Sequence, residues 1–121
     1  MNLDKMIHAY IETALWAETD NSNDQGGDPL DKNYTVADFA DGELDKAKAD
    51  CAKFAKDNAA DVDNEDPWDI GHDFWLTRNG HGAGFWDGDY EEAKGRRLSE
   101  ASKKFREVTI YVGGDSKLYF A

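Results

Sequence analysis

His72 and His81 stand nine residues apart, with Asp73, Asp87 and Asp89 close by in the chain. Imidazole and carboxylate together are a ligand set for zinc or manganese. If residues 72–78 and 83–87 formed a hairpin, the two histidines would approach across its open end. The spacing matches no established metal motif, so no cofactor is expected and a divalent ion is the alternative. The same residues suit general-base chemistry, with His72 or His81 as base, Asp73 orienting it and Arg78 stabilising an anion. Thr77 is the one candidate nucleophile in the run, and no residue is assigned as catalytic. Gly80, Gly82 and Gly84 alternate after Arg78, a pattern able to form an anion-binding backbone nest. It lacks the ending of a phosphate loop and the spacing of a dinucleotide fingerprint. A tight or bulged turn is the plainer reading of these glycines.

The elements that must hold these residues are read from periodicity. Leu3, Ile7, Tyr10, Ala14 and Leu15 recur at helical spacing, with Met6 and Ile11 widening the stripe, and predict a helix over 3–18. The turn formers from Thr19 to Tyr34 predict a long polar loop. Within it Asp20, Ser22 and Asp24 begin like a calcium loop, but Gln25 and Asp31 stand where glycine and glutamate belong. Thr35 with Asp38 has the form of a capping box ahead of a short turn. Asp41 is placed to cap a helix whose narrow stripe is Leu44, Ala47, Cys51, Phe54 and Ala55. Pro67, after an acidic run, is read as ending helical structure before Ile70.

Phe74 and Leu76 alternate with Asp73, Trp75 and Thr77, which predicts a strand. Asn79-Gly80 predicts a turn, and Phe85-Trp86 the start of a return strand. Asp89 with Glu92 opens a helix over 89–106, with Gly95 as its weak point. Val108, Ile110 and Val112 predict a strand, Gly113 to Ser116 a turn, and Leu118 with Phe120 a final strand. The expected fold is a single α+β domain over 1–121, with a small, mostly antiparallel sheet of three or four strands against three helices.

The 121 residues carry a formal charge of -12, unevenly spread. Residues 1–70 hold 18 Asp and Glu against 6 Lys, whereas residues 71–121 hold 8 acids against 8 Lys and Arg. One acidic segment runs through Asp57, Asp61, Asp63, Glu65, Asp66 and Asp69 with no base after Lys56. Such a charge repels nucleic acid and anionic membrane and attracts basic protein surfaces. A single Cys51 excludes an internal disulfide. No run approaches the ~18 apolar residues of a membrane span. The N-terminal MNLDKMIHAY lacks the apolar run of a secretion signal, so a cytoplasmic protein is expected.

Exposed aromatics beside an arginine are typical of protein-binding hot spots. A strand with Phe74 and Leu76 turned inward would send Trp75 to the opposite face. Trp75, Arg78 and Trp86 are therefore the expected contact residues, with the acids of 57–69 supplying electrostatics.

The run HDFWLTRNGHGAGFWD at 72–87 resembles a signature of small proteins encoded by bacteriophages and prophages. Ala14-Leu15-Trp16, Glu18-Thr19-Asp20-Asn21, Asp31-Lys32-Asn33-Tyr34 and Tyr111-Val112-Gly113 resemble them as well. The resemblance implies a phage accessory protein acting inside an infected or lysogenic bacterium, and brings no activity or cofactor with it. The leading expectation is a non-enzymatic protein that binds a host protein with a basic surface. It would inhibit a nucleic-acid-binding or defence protein by imitating the charge of DNA. One alternative is a metal-binding, anion-binding or catalytic site in 72–89; the other is a structural or virion-associated protein.

Overall fold

The computed structural model describes residues 1–20, 27–81, 83–86 and 90–121. Asn2 opens α1 (Leu3–Ala17) by accepting a hydrogen bond from the Lys5 amide at 3.1 Å. The predicted stripe is the buried one: Met6, Tyr10, Ile11, Ala14 and Leu15 all face the core. The chain then forms a two-residue antiparallel pair, β1 (Thr19–Asp20) with β2 (Asp28–Pro29). A 3-10 turn at Leu30–Lys32 follows and buries Leu30 completely, so the predicted polar loop is anchored to the core. Ser22 and Asp24 of the calcium-like run lie outside the described residues.

Thr35 and Asp38 form the predicted capping box around a second 3-10 turn, Val36–Asp38. Helix α2 (Glu43–Asp57) begins two residues after Asp41. Gly42 occupies the cap at φ +83°, a conformation that favours glycine. Glu43 accepts a bond from the Phe120 amide at 2.8 Å and ties this helix to the C-terminal strand. A single turn, α3 (Ala59–Val62), follows.

The largest departure from expectation is α4 (Pro67–Arg78). Residues 72–78 are helical, and no hairpin forms there. Pro67 starts the helix rather than stopping it. At the first helical position its missing N–H has no partner to lose, and Asp66 caps the turn by accepting from the Trp68 amide at 2.9 Å. From Ile70 onward α4 is buried on nearly every side: Ile70, Gly71, Phe74, Trp75, Leu76, Thr77 and Arg78 are all inside. A helix covered all round carries no apolar stripe. Phe74 and Leu76 therefore gave a false period of two.

Phe85 and Trp86 lie in a turn, not a return strand. Asp89 lies outside the described residues, and α5 (Glu92–Lys103) is capped by Glu91. Its carboxylate accepts from the amides of Ala93 and Lys94, which lowers its pKa. The C-terminal strands β3 (Ile110–Val112) and β4 (Leu118–Phe120) pair antiparallel with Ile110 opposite Phe120. Phe39 bridges to Leu118 in parallel, and its ring stacks on Phe120 at 4.9 Å. The α+β class holds, but the described residues form two separate two-stranded sheets rather than one of three or four strands. Five helices among the described residues supply most of the core. At its centre Phe54 of α2 stacks on Phe74 of α4 at 4.2 Å, and Phe85 and Phe105 close around them. Tyr10 meets both Phe74 and Trp75 from α1.

Helices α1 and α4 make the closest pairing. Their contacts advance together along both chains, Lys5 to Asp66, His8 to Trp68, Thr13 to His72, so the two run in the same sense. Gly71 is where they touch. A Cβ there would run into the Met6 carbonyl oxygen and lie 3.0 Å from the Ala9 Cβ.

Candidate functional site

Positions 8, 12 and 16 share one face of α1, and positions 68 and 72 share one face of α4. Packing the helices side by side sets these faces edge to edge on the surface. The His8 ring lies 5.7 Å from the Trp68 ring, and the Trp16 ring 6.2 Å from His72. Glu12 lies between, 3.9 Å from His8. Trp16 is 59% exposed and Trp68 38%, although tryptophan is the largest apolar side chain available for a core. Asp69 is exposed on the next face of α4. The result is a strip of two tryptophans and two histidines bordered by carboxylates.

His72 is tied to α1 by a hydrogen bond. The Thr13 hydroxyl donates its one proton to the Ala9 carbonyl at 2.7 Å, so at 2.9 Å it accepts from His72 Nδ1–H. That donor count places a proton on His72 Nδ1. Asp73, one residue on, points around the helix and accepts from the Tyr90 hydroxyl at 2.7 Å. Burial, reinforced by that carboxylate, pushes the Tyr90 pKa well up. Adjacent helical residues do not face each other, so Asp73 does not orient His72.

Among the described residues the structure does not bring His72, Asp73 and His81 together as a metal or catalytic set. His81 lies past the end of α4, where its amide bonds to the Leu76 carbonyl at 3.0 Å. It shares a surface hollow with Glu18, Asn79 and Glu107, whereas His72 contacts Thr13 and Trp16. Burial raises the Glu18 pKa, and the nearby His81 charge partly lowers it again. Asp87 and Asp89 lie outside the described residues. Among the described residues no group of three His, Cys, Asp or Glu is placed to hold a metal. Thr77 is buried and accepts from the Phe85 amide at 3.1 Å, which makes it a structural tie rather than an exposed nucleophile. Gly80 (φ +71°) and Gly84 (φ +138°) serve the turn that follows, and Gly82 lies outside the described residues.

Two of the three expected contact residues are also corrected. Trp75 is completely buried, because a helix places it against Tyr10 and Phe120 instead of on an open sheet face. Arg78 is 6% exposed, and its guanidinium is spent inside the protein. Trp86 is exposed as expected, at 69%.

The acids of 57–69 are partly neutralised by the fold. Asp57 pairs with Lys53 at 2.8 Å, and Glu65 with Lys94 at 3.0 Å. Asp61 takes a two-pronged contact from Arg97, at 2.7 and 2.9 Å, which holds its pKa below the usual range. Asp66 caps α4 and lies 3.6 Å from Lys5. Asp63 and Asp69 are the exposed members of the group with no ion pair among the described residues. Asp66→Ala is therefore expected to cost about 1 kcal/mol of stability through loss of the helix cap, measured by urea denaturation.

Trp16, Trp68, His8 and Glu12 are not among the contact residues expected from the sequence. The available signal was that Trp16 sits off the apolar stripe of α1. No family model matches the chain, and no curated protein or solved structure matches it either. No helix among the described residues is long and apolar enough to cross a membrane.

Proposed function

We propose that this chain is a non-enzymatic, phage-type accessory protein that binds a host protein through the α1/α4 strip. The observation that carries the reading is the pair of exposed tryptophans, Trp16 and Trp68, set edge to edge with His72 and His8 on two tightly packed helices. Rigid aromatic side chains lose little conformational freedom on binding and dominate contact energies. The net charge of -12 and the bordering carboxylates Glu12 and Asp69 favour a partner with a basic surface. A surface that otherwise holds nucleic acid fits that description, and inhibition by charge mimicry is the function it supports. The resemblance of residues 72–87 to phage and prophage proteins supports the origin.

The test is capture from bacterial lysate by the wild-type protein and by Trp16→Ala/Trp68→Ala. Both side chains are exposed, so the double variant should keep its circular dichroism spectrum. The wild type should retain a partner that elutes as salt is raised from ~0.1 to 1 M, because screening shortens the reach of surface charge. The double variant should lose it. Equal retention by the double variant would remove the strip from the reading, and retention at high salt would remove the electrostatic part.

A further inference from the structure

Asn79-Gly80 is the one Asn-Gly pair in the chain, and the fold needs it at the end of α4. The Gly80 amide donates to the Thr77 carbonyl at 3.2 Å, and the His81 amide to the Leu76 carbonyl at 3.0 Å. These two bonds close a Schellman turn, with Gly80 at φ +71° in the left-handed position that favours glycine. Asn79, the residue before it, uses both ends of its side-chain amide. Its Nδ2 donates to the Trp75 carbonyl at 3.0 Å, and its Oδ1 accepts from the Val108 amide at 2.8 Å. Arg78 beside it donates to the Phe105 and Arg106 carbonyls. Residues 78 and 79 thus clasp the segment 105–108 that leads into β3.

The same dipeptide is chemically labile. A glycine nitrogen has no neighbouring side chain to shield it, and its backbone turns freely, so it can attack the asparagine before it. The Gly80 nitrogen bonds to Asn79 Cγ and gives up its proton. The Cγ–Nδ2 bond breaks, and Nδ2 takes up the proton and leaves as ammonia. Water then opens the five-membered imide at either carbonyl, to aspartate or isoaspartate.

The folded geometry blocks the first step. With Asn79 at ψ 11°, the Gly80 nitrogen is nearly eclipsed with the Asn79 nitrogen and turned away from Cβ. Closing the ring needs a large rotation about the Asn79 Cα–C bond. That rotation cannot be made while the Gly80–Thr77 bond and the two side-chain bonds hold. Gly80 is exposed and Asn79 lines a surface hollow, so water has access and the clasp is the barrier.

We propose that Asn79-Gly80 is a self-modification site gated by this clasp: it deamidates when residues 105–108 lift away, and the product weakens the clasp that had to open. An aspartate there keeps an acceptor for Val108 but sets an oxygen, in place of a donor, against the Trp75 carbonyl. Its charge also falls at a helix C-terminus, where the carbonyls already carry partial negative charge. Isoaspartate adds a methylene to the main chain and shifts Gly80 out of its turn. The change runs one way.

The experiment holds the full chain at physiological temperature and pH, native or in guanidinium chloride, and follows each asparagine by peptide mapping and mass spectrometry. In denaturant Asn79 should convert faster than Asn33, Asn58 and Asn64, which precede Tyr34, Ala59 and Glu65. In the native protein Asn79 should convert at least ~10-fold more slowly than in denaturant, the factor set by the free energy of local opening. Arg78→Lys loosens the same clasp and should speed native conversion. Asp66→Ala, at the far end of α4, should leave it near the wild-type rate. Asn79→Asp supplies one product directly and should lower the thermal midpoint by about 4 °C. Equal native and denatured rates would overturn the gate. So would an Asp66→Ala rate that rises in step with lost stability, since opening would then be global. An Asn79 no faster than the other three in denaturant would overturn the labile site. An Asn79→Asp midpoint at or above that of wild type would overturn the loosening. None of these outcomes depends on partner capture by the α1/α4 strip.

Discussion

Arg78→Ala is expected to destabilise the protein by about 3–5 kcal/mol, the range for stripping one partner from a buried charged network. The guanidinium is the hub of the C-terminal packing. Its Nε donates to the Arg106 carbonyl at 2.9 Å and its Nη2 to the Phe105 carbonyl at 2.8 Å. Its Nη1 reaches both the Asp50 carboxylate at 2.7 Å and the Tyr10 hydroxyl at 3.0 Å. The flat group lies 5.6 Å from the ring centres of Phe74 and Phe105. One side chain thus joins α1, α2, α4 and the segment after α5. Removing it leaves two carbonyls, a hydroxyl and a carboxylate short of a donor. A protein of this size has a total stability of about 5–15 kcal/mol, so the loss would be visible as a large fall in the urea midpoint. Arg78→Lys should recover less than half of it, because an ammonium cannot reproduce the fork of planar donors. Asp50→Asn should cost less than either, since Asp50 is 39% exposed and water can take up the slack. An Arg78→Ala variant within ~1 kcal/mol of wild type would mean the network is not the hub it resembles.

Gly71→Ala sets two effects of opposite sign against each other. Alanine favours the helical state over glycine by about 1 kcal/mol. In α4, however, the new methyl would run into the Met6 backbone carbonyl, which no rotamer change can move. Helices α1 and α4 would have to separate, opening the interface that carries Tyr10, Phe74 and Trp75. Overpacking of this kind costs about 1–3 kcal/mol, and a backbone obstacle places it at the upper end. The expected net effect is a loss of about 2 kcal/mol, read by chemical denaturation. The same separation would disturb the Thr13–His72 bond and the Trp16 and Trp68 rings beside it. Partner capture should therefore weaken at temperatures where the variant is still folded. A variant as stable as wild type would show that the crossing has room to spare.

The two halves of the chain divide the work differently from their charges. The acids of 57–69 are the most conspicuous sequence feature of the N-terminal half, yet four of the six are tied to bases or to a helix end. Arg97 and Lys94 come from the charge-balanced half and draw α5 onto α3 and the start of α4. Much of this negative charge is thus architectural. The carboxylates left for a partner are the scattered ones, with Glu12 and Asp69 beside the tryptophans.

The sequence by itself determined the local elements. The stripe from Leu3 to Leu15, the capping box of Thr35 and Asp38, the narrow apolar face around Cys51 and Phe54, and the alternation of Ile110 and Val112 all read correctly. The two helices and the strand among them have one covered side and one wet side, so their burial is written into their period, and the capping box is a purely local pattern. Only the tertiary structure decided α4. Once α1, α2, α5 and the C-terminal hairpin close around it, the helix from Ile70 onward is covered on nearly every side, and a helix so covered has no period to read. The same fact decided the fate of the aromatics. Trp75 and Trp68 are seven residues apart in one helix, but packing buries the first completely and leaves the second 38% exposed. Which tryptophans remain for a partner depends on what packs against α4, and only the assembled fold supplies that.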